Sequence, residues 1–202
     1  MEVTSLPVGS LETNCYIVTS AKDCLVIDPG GDAGTILRVV LEKGLRVHSI
    51  VLTHGHFDHY LAAGEVQEST GAPVYVGAGD LPTVKDPGWM ARYLPSWPDV
   101  PKDIRTLCDD DTVLAGELSF RVMSTPGHSP GSLCLYSPGV LFAGDLLFRG
   151  SIGRTDLPGG DTRAMSESLR QVGQLPDDTV VYPGHGPSTT VGEEKESNPY
   201  LG

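Results

Sequence analysis

The sequence predicts a mixed α/β fold in one domain that spans residues 1–202. Turn-forming residues are abundant, with 25 glycines and 16 prolines in the chain, and this favours many short strands over long helices. Short apolar runs alternate with helically spaced segments in the first half, whereas strand-like runs dominate the second half. A chain of this length can bury roughly 70% of the surface that its unfolded form exposes, so it needs no metal merely to fold.

In the first half, each predicted element follows from the spacing of its apolar residues. The apolar runs 13–18 and 24–27 are separated by a polar turn and predict a β-hairpin. The first helix should end at Gly44, because glycine readily adopts the left-handed conformation that closes helices. The predicted strands cover 13–18, 24–27, 47–53 and 73–76, and the predicted helices cover 33–43 and 59–70.

In the second half, the pattern is mostly that of strands. A helix is predicted over 161–173 with Asp161 as its N-cap, because Asp accepts hydrogen bonds from the first free N–H groups. Thr190 and Glu193 have the spacing of a capping box and predict a further short helix. The predicted strands cover 112–114, 117–125, 132–136, 140–143 and 179–182.

The segment 80–105 differs from the rest of the chain. It is rich in proline, and its apolar residues show little periodicity. We expect a long excursion from the core, and long loops in compact domains are often functional. Its aromatic residues Trp89, Tyr93 and Trp97 either cover the functional edge and shape a pocket or fix the loop to the core, and the sequence leaves both open.

The charge of the chain restricts its partners. Its 26 acidic residues exceed its 14 basic ones, for a net charge of -12, and such a chain repels phosphate backbones and anionic membranes. We therefore expect no nucleic-acid and no membrane partner, which leaves small molecules as substrates. The first residues lack the basic and apolar regions of a signal peptide. We expect a cytoplasmic monomer or small homo-oligomer, whose four cysteines are reduced and mostly buried.

The most informative stretch is Thr53–His59, which contains three of the six histidines. Imidazole and carboxylate groups suit Zn, Fe and Mn as ligands. Bringing His54, His56, Asp58 and His59 together in one loop is unfavourable without a cation, because buried polar groups that lack partners are costly. This stretch therefore predicts a metal site.

Three further strand-like runs end in the same way. Each is followed by a histidine or an aspartate, at His128, Asp145 and His185, and a glycine before each of them lets the backbone turn sharply. Ligands gather outside the carboxyl ends of strands, so we expect these three residues to meet the first cluster at one site. The remaining histidine, His48, we interpret as an ordinary surface or core residue.

The number of candidate ligands favours two metals over one. Seven ligands exceed what a single tetrahedral ion can use, and they suit a pair of ions about 3.5–4 Å apart that share a carboxylate and a hydroxide. In an extended segment, side chains two apart point the same way, so His54 and His56 can bind one ion. Asp58 and His59 lie where the chain turns into a helix and can reach a second ion. We expect two divalent ions, zinc in the first instance, with iron or manganese as alternatives.

These motifs together resemble the metallo-β-lactamase superfamily, and the flanking segments resemble its glyoxalase II (hydroxyacylglutathione hydrolase) branch. Besides the ligand positions, the matching segments are Asn14–Tyr16, Val26–Gly30, Thr125–Gly131, Leu141–Asp145 and Pro183–Gly186. The resemblance covers essentially the whole chain and implies a four-layer αββα sandwich, with the metals at one edge between the two sheets. With 17 residues after His185, the chain resembles the short form that lacks the C-terminal helical domain of full-length glyoxalase II.

The resemblance also implies a role for each candidate residue. Asp58 and Asp145 would be the catalytic carboxylates, with Asp58 acting as a ligand rather than as a base. Asp28 would be a buried carboxylate that supports the site, and Arg154 would bind an anionic part of the substrate. The ligands would be His54, His56 and His128 for the first metal, Asp58, His59 and His185 for the second, and Asp145 as the bridge.

The activity implied is thioester hydrolysis, with S-lactoylglutathione or a related S-acylglutathione as substrate and a metal-bound hydroxide as nucleophile. A thiolate is a good leaving group, so no dedicated general acid is required. An alternative is a persulfide dioxygenase with one iron held by two histidines and one aspartate, because such enzymes share a segment like Gly153–Asp156. Lactonase or nuclease activity, or metal binding without catalysis, are further alternatives, and the acidic charge weighs against a nuclease.

Overall fold

A computed structural model of the chain describes residues 1–94 and 100–201. Two six-stranded sheets pack face to face, and helices cover the outer face of each sheet. The predicted fold class, a four-layer αββα sandwich, is thereby confirmed. None of the helices in the described part of the chain has the length and apolar character that crossing a bilayer requires.

The first sheet contains the predicted hairpin and a parallel part. Its strands are β1 (Glu2–Val8), β2 (Thr13–Ser20), β3 (Asp23–Ile27), β4 (Arg46–Leu52), β5 (Val74–Gly77) and β6 (Ile104–Leu107). They follow one another in chain order across the sheet, antiparallel from β1 to β3 and parallel from β3 to β6. Strand β1 was not predicted; it lies at the sheet edge and exposes much of its surface, so it lacks a strong apolar pattern.

The second sheet carries the strands that follow the long central segment. Its elements, with a small two-stranded ribbon, are β7 (Thr112–Ala115), β8 (Leu118–Ser124), β9 (Leu133–Ser137), β10 (Val140–Gly144), β11 (Leu147–Phe148), β12 (Ser151–Ile152), β13 (Val180–Pro183) and β14 (Thr189–Thr190). The sheet order is β14-β13-β10-β9-β8-β7. Strands β8, β10 and β13 run in the same direction, so their carboxyl ends lie at one edge.

The helices pack on the outer faces of the two sheets. They are α1 (Ala33–Glu42), α2 (Phe57–Tyr60), α3 (Ala63–Thr70), α4 (Leu81–Lys85), α5 (Thr162–Val172) and α6 (Val191–Ser197), with 3-10 turns at Ala78–Asp80 and Gly88–Tyr93. Helices α1 and α3 contribute to the core outside the first sheet, and α5 and α6 to the core outside the second. The C-terminal turn of α1 is followed by Gly44 with a φ of 60°, as predicted.

Alternation along the strands divides the interior into three cores. In β2, Cys15 and Ile17 face the helices, whereas Tyr16 and Val18 face the second sheet, because successive side chains of a strand point to opposite faces. The second sheet contributes residues such as Phe142 to the core between the sheets. Both sheets are thus covered on both faces, which holds their edges in fixed relative positions.

The helix predicted over 59–70 is two helices, α2 and α3. The chain bends between them because the Ala62 N–H donates to the carbonyl of Pro29 rather than continuing the helical pattern. Helix α2 also begins earlier than predicted, at Phe57, and its single turn carries both Asp58 and His59. The prediction of one continuous helix was therefore wrong, although its end at Gly71 is correct.

The segment 80–105 is only partly the irregular excursion that was predicted. It contains α4 and a 3-10 turn, and Val84 and Met90 are fully buried within it. Its last two residues already belong to β6. Trp97 lies outside the described residues. Of the cysteines, Cys108 is exposed and the other three are buried.

Asp161 is the N-cap of α5, and its own N–H donates to the carbonyl of Gly127, the residue before His128. Its carboxylate accepts from the N–H groups of Arg163 and Ala164 at 2.8 and 3.0 Å. We expect Asp161→Ala to lower the free energy of unfolding by about 1 kcal/mol, measured by urea denaturation. Asp161→Asn keeps an accepting oxygen and should lose clearly less; equal losses in both variants would contradict the capping role.

Candidate metal centre

The candidate metal centre lies at the edge where β4, β8, β10 and β13 end. The structure brings all seven predicted ligands together there, in three overlapping groups whose ligand atoms lie within 4.8 Å of one another. The groups are His54, His56 and His128; His54, His59 and Asp145; and Asp58, His59 and His185. His48 is not among them, because it pairs with Asp23 elsewhere, with His48 Nε2 at 2.8 Å from Asp23 Oδ1.

In the first group, three imidazole nitrogens face one another. The Nδ1 atom of His56 lies 3.1 Å from His54 Nε2 and 2.8 Å from His128 Nε2. The other nitrogens of His54 and His128 donate hydrogen bonds outward, so their Nε2 atoms present lone pairs to the centre when the rings are neutral. Lone pairs this close repel one another, and a cation between the three nitrogens would instead be coordinated by them.

In the second group, Asp145 faces histidines from both halves of the site. Its Oδ1 lies 3.5 Å from His59 Nε2, and its Oδ2 lies 3.5 Å from His128 Nε2 and 3.7 Å from His185 Nε2. In the third group, Asp58 Oδ2 lies 3.2 Å from His185 Nε2. Among the described residues, the buried atoms His59 Nε2 and Asp145 Oδ1 have no hydrogen-bond partner.

Three histidines are oriented by hydrogen bonds from their outer nitrogens. His59 donates from Nδ1 to Asp28, and His128 donates from Nδ1 to the carbonyl of Arg154, at 2.9 and 2.8 Å. His54 Nδ1 lies 3.1 Å from the Thr53 hydroxyl, which itself donates to Asp28. Such outer contacts fix the tautomer and direct Nε2 toward the centre.

Burial and neighbouring charges shift the pKa values of the candidate ligands in different directions. Burial lowers the pKa of His56 to about 3, and burial and the neighbouring imidazoles lower the pKa of His54 as well. Burial also lowers the pKa of His59, but the carboxylates of Asp28, Asp145 and Asp58 outweigh it and raise that pKa to about 10. Burial raises the pKa of Asp58, yet His59 and His185 bring it below its usual range. Neutral imidazoles and ionised carboxylates are the forms that bind metals.

Two glycines allow the ligand-bearing strand ends to approach one another. A Cβ on Gly184 would lie 2.2 Å from Asp145 Oδ1 and 2.7 Å from His59 Cε1. Gly144 has a φ of 49°, and its Cβ would lie 2.4 Å from the Thr53 hydroxyl. Gly144 is thus needed both for its left-handed conformation and for close approach, and Gly184 is needed for close approach.

Sequence analysis missed two polar residues that position ligands. The Thr13 hydroxyl donates to Asp58 Oδ2 at 3.1 Å. Asp80, which is buried, accepts from the N–H groups of Gly55 and Gly131 at 2.8 Å and from the Ser129 hydroxyl. It thereby ties the loop of His56 to the loop of His128. Asp80 follows strand β5, so the same strand-end rule that identified the ligands could have identified it.

A cavity of about 520 Å³ opens beside the ligands. His56, Asp58, His128, Asp145 and His185 line its polar side. Arg154 also lines it, as predicted for a substrate contact, but its guanidinium donates to both oxygens of Asp156 at 2.7 and 2.9 Å. The arrangement fits divalent metal binding next to a cavity: nitrogen and carboxylate donors converge, two of them have no other partner among the residues that the structure describes, and hydrogen bonds orient the imidazoles.

The sequence matches known proteins over its whole length. A family model of the metallo-beta-lactamase superfamily matches residues 8–185. A relative from Bacillus subtilis, a probable metallo-hydrolase, is 37% identical over 100% of this chain and 98% of its own length. A hydroxyacylglutathione hydrolase of Haemophilus influenzae is 33% identical over the same shares of the two chains.

Solved structures show the same relationship. A B3 metallo-beta-lactamase, BLEG-1, superimposes with a TM-score of 0.93 at 37% identity, covering 99% of both chains. A protein crystallised in a di-iron-bound form, TTHA1623, gives 0.90 at 41% identity, covering 98% of this chain and 100% of that one. ETHE1 from Myxococcus xanthus gives 0.81 at 30% identity, covering 98% and 84%. The family match, these similarities and the cluster of histidines and aspartates agree: the chain belongs to the metallo-beta-lactamase superfamily.

Proposed function

We propose that this protein is a binuclear metallohydrolase that cleaves thioesters, with S-lactoylglutathione or a related S-acylglutathione as its substrate. The observation that carries the proposal is the position of Asp145, whose two oxygens face histidines of two different ligand groups. A carboxylate shared by two groups is typical of two-metal hydrolytic sites. The names of the Haemophilus and Bacillus relatives, a hydroxyacylglutathione hydrolase and a probable metallo-hydrolase, support the same chemistry.

In this proposal, each group of ligands holds one divalent ion. His54, His56 and His128 hold the first ion, and Asp58, His59 and His185 hold the second. Asp145 joins the two. Zinc is the first expectation, and iron or manganese remain alternatives; the di-iron form of a 41% identical protein supports the capacity of this ligand set for iron.

The reaction joins a water oxygen to the carbonyl carbon and breaks the carbon–sulfur bond. A carboxylate, a thiol and one proton result. Divalent ions supply this reaction with a water that ionises near neutral pH and with a Lewis acid for the carbonyl oxygen. The protein's own groups do the rest: Asp28, Thr53 and the Arg154 carbonyl orient imidazoles, and Thr13 orients Asp58. The thiolate leaves without a protein acid.

A second candidate function rests on the group formed by His54, His59 and Asp145. Two histidines and one carboxylate with open positions form the site of non-haem iron oxygenases. With one iron there, a persulfide dioxygenase would oxidise the outer sulfur of a persulfide with O₂ and water to sulfite, releasing the thiol.

Metal analysis of the purified protein, with assays on S-lactoylglutathione and glutathione persulfide, distinguishes the hydrolase from the dioxygenase. Two ions with thioester cleavage support the hydrolase, and one iron with oxygen consumption supports the dioxygenase.

The bridging role of Asp145 can be tested by its removal. We expect Asp145→Ala to lower the metal content from two ions per chain to one or none and to lower hydrolysis with it, because ligand loss weakens both groups. Metal content is measured by elemental analysis and hydrolysis by thiol release. Asp177→Ala removes an exposed carboxylate that pairs with Lys195 and should change neither. Full metal content and full rate in Asp145→Ala would contradict the assignment.

Metal binding should release a proton from His59. Its pKa of about 10 means that the metal-free imidazole is protonated at pH 8, and a metal on Nε2 must displace that proton. We expect release of about one proton per chain from this group on loading, measured by calorimetry in buffers of different ionisation enthalpy. Asp28→Asn removes the nearest anion, lowers the pKa of His59 and should reduce the release at pH 8.

A matched control for this experiment is Asp23→Asn. It also removes a carboxylate that pairs with a histidine, because Asp23 contacts His48, but that pair lies outside the ligand groups. We expect the proton release of Asp23→Asn to equal that of the unchanged protein. Equal release in Asp28→Asn and Asp23→Asn would show that His59 is not the source.

The role of Arg154 can be separated from that of Asp156. If Arg154 binds an anionic part of the substrate, Asp156→Asn should free its guanidinium and lower the KM for an S-acylglutathione several-fold, because the guanidinium no longer has to leave a carboxylate partner. Arg154→Lys should raise the KM, because the ammonium lacks the fork of donors. Steady-state kinetics on one thioester measure both. An unchanged KM in both variants would remove Arg154 from the binding site.

A further inference from the structure

The cavity beside the ligands has an apolar side that no ligand role accounts for. Six residues form it, and we call them the apolar wall: Leu11, Phe57, Trp89, Met90, Tyr93 and Leu157. Its aromatic members come from two elements, the first turn of α2 and the 3-10 turn Gly88–Tyr93. With about 520 Å³, the cavity has the size of a pocket for a small organic molecule.

The aromatic rings of the wall contact one another and reach the ligands. Trp89 meets Tyr93 edge-on at 6.2 Å between centroids, and Tyr93 stacks on Phe57 at 6.5 Å. Trp89 also lies edge-on to His56, with 6.1 Å between the ring centroids. Met90 is fully buried and fixes the 3-10 turn to the core. The three aromatic rings of the wall therefore form a chain of contacts that begins at His56, a ligand of the first group.

Part of the wall is exposed, although the wall is apolar. Tyr93 has 59% of its surface accessible and Leu11 has 52%. A contiguous apolar surface at the rim of a polar cavity is a signature of ligand binding, because it gains free energy only when something apolar covers it. The occupant must lie within reach of the ligand groups, since Trp89 packs on His56.

Apart from the proposed metal ions, the cavity has few cationic groups that could bind the carboxylates of a polar occupant. Among the described residues that line the cavity, Arg154 is the one Lys or Arg side chain, and Asp156 already accepts two of its hydrogen bonds. A lactoyl group is small and carries a hydroxyl, and glutathione is a polar tripeptide with two carboxylates. Neither offers an apolar group that would cover the exposed part of the wall.

We infer that the substrate carries, beside its thioester, an apolar group about the size of an aromatic ring, which binds on the apolar wall. This inference rests on the proposed thioester hydrolysis and narrows its substrate class. Either the acyl part or the thiol part can supply such a group. We expect the preference for substrates with such an apolar group to depend most on Trp89, because Trp89 contacts both the wall and the ligand His56.

The test uses two series of thioesters with the metal-loaded protein. In the first, the thiol is glutathione and the acyl group is acetyl, lactoyl, hexanoyl or phenylacetyl. In the second, the acyl group is acetyl and the thiol is 2-mercaptoethanol or benzyl mercaptan, which differ little in leaving-group acidity. We expect kcat/KM to rise about tenfold or more toward the apolar member of at least one series.

Variants at Trp89 tie this preference to the wall. In Trp89→Ala, the ratio of kcat/KM between the apolar and the acetyl substrate should fall to about a third or less of its original value, and in Trp89→Phe most of it should remain. Leu41→Ala removes an apolar side chain that is 80% exposed on α1, away from the cavity, and should keep the full ratio. Metal content is measured in each variant, so that loss of ions is distinguished from loss of binding.

Binding without catalysis separates this inference from the proposed function. Calorimetry compares S-benzylglutathione with S-methylglutathione, which cannot be hydrolysed, and we expect the benzyl compound to bind about tenfold more tightly in a Trp89-dependent way. If that holds and no thioester is cleaved, the wall is supported and the hydrolase is not. If thioesters are cleaved with no apolar preference in either series, the inference is overturned and the hydrolase stands. A preference that survives in Trp89→Ala also overturns it.

Discussion

The arrangement of the site depends on the carboxylate of Asp28. It is buried at the end of β3 and accepts three hydrogen bonds: from the N–H and the hydroxyl of Thr53 at 2.7 Å, and from His59 Nδ1 at 2.9 Å. These contacts join the end of β3 to the end of β4 and to α2. Because Thr53 in turn contacts His54, one carboxylate sets the orientation of a histidine in each ligand group.

That local arrangement is held because the two sheets cannot move independently. Alternating side chains along β2 and its neighbours fill a core on each face of the first sheet, and the core between the sheets includes residues from both. Contacts across the edge add to this, since Asn14 and Tyr16 of β2 donate to the carbonyl of Pro183, just before His185. A ligand on the second sheet is thus positioned from the first.

Sequence patterns predicted which residues converge at this edge, because metal chemistry limits candidate ligands to a few residue types. Strand ends, histidines and glycines are all visible in the sequence, and the seven residues do converge. The break between α2 and α3 was not predictable, because it depends on the carbonyl of Pro29, some 30 residues away in the chain. The position of Asp80 after β5 could have identified it as a candidate, but its contacts with Gly55, Ser129 and Gly131 could not be predicted, because these partners are distant in sequence. Local periodicity carries no information about such contacts.

The charges of the centre partly compensate one another. Three carboxylates, Asp28, Asp58 and Asp145, surround His59 and hold it protonated, as the rise of its pKa to about 10 shows. The imidazolium thus supplies the positive charge that the buried carboxylates require. Burial keeps His54 and His56 neutral at the other end of the cluster, where a second positive charge would be repelled. The centre is therefore divided into a charged half around His59 and a neutral half around His54 and His56.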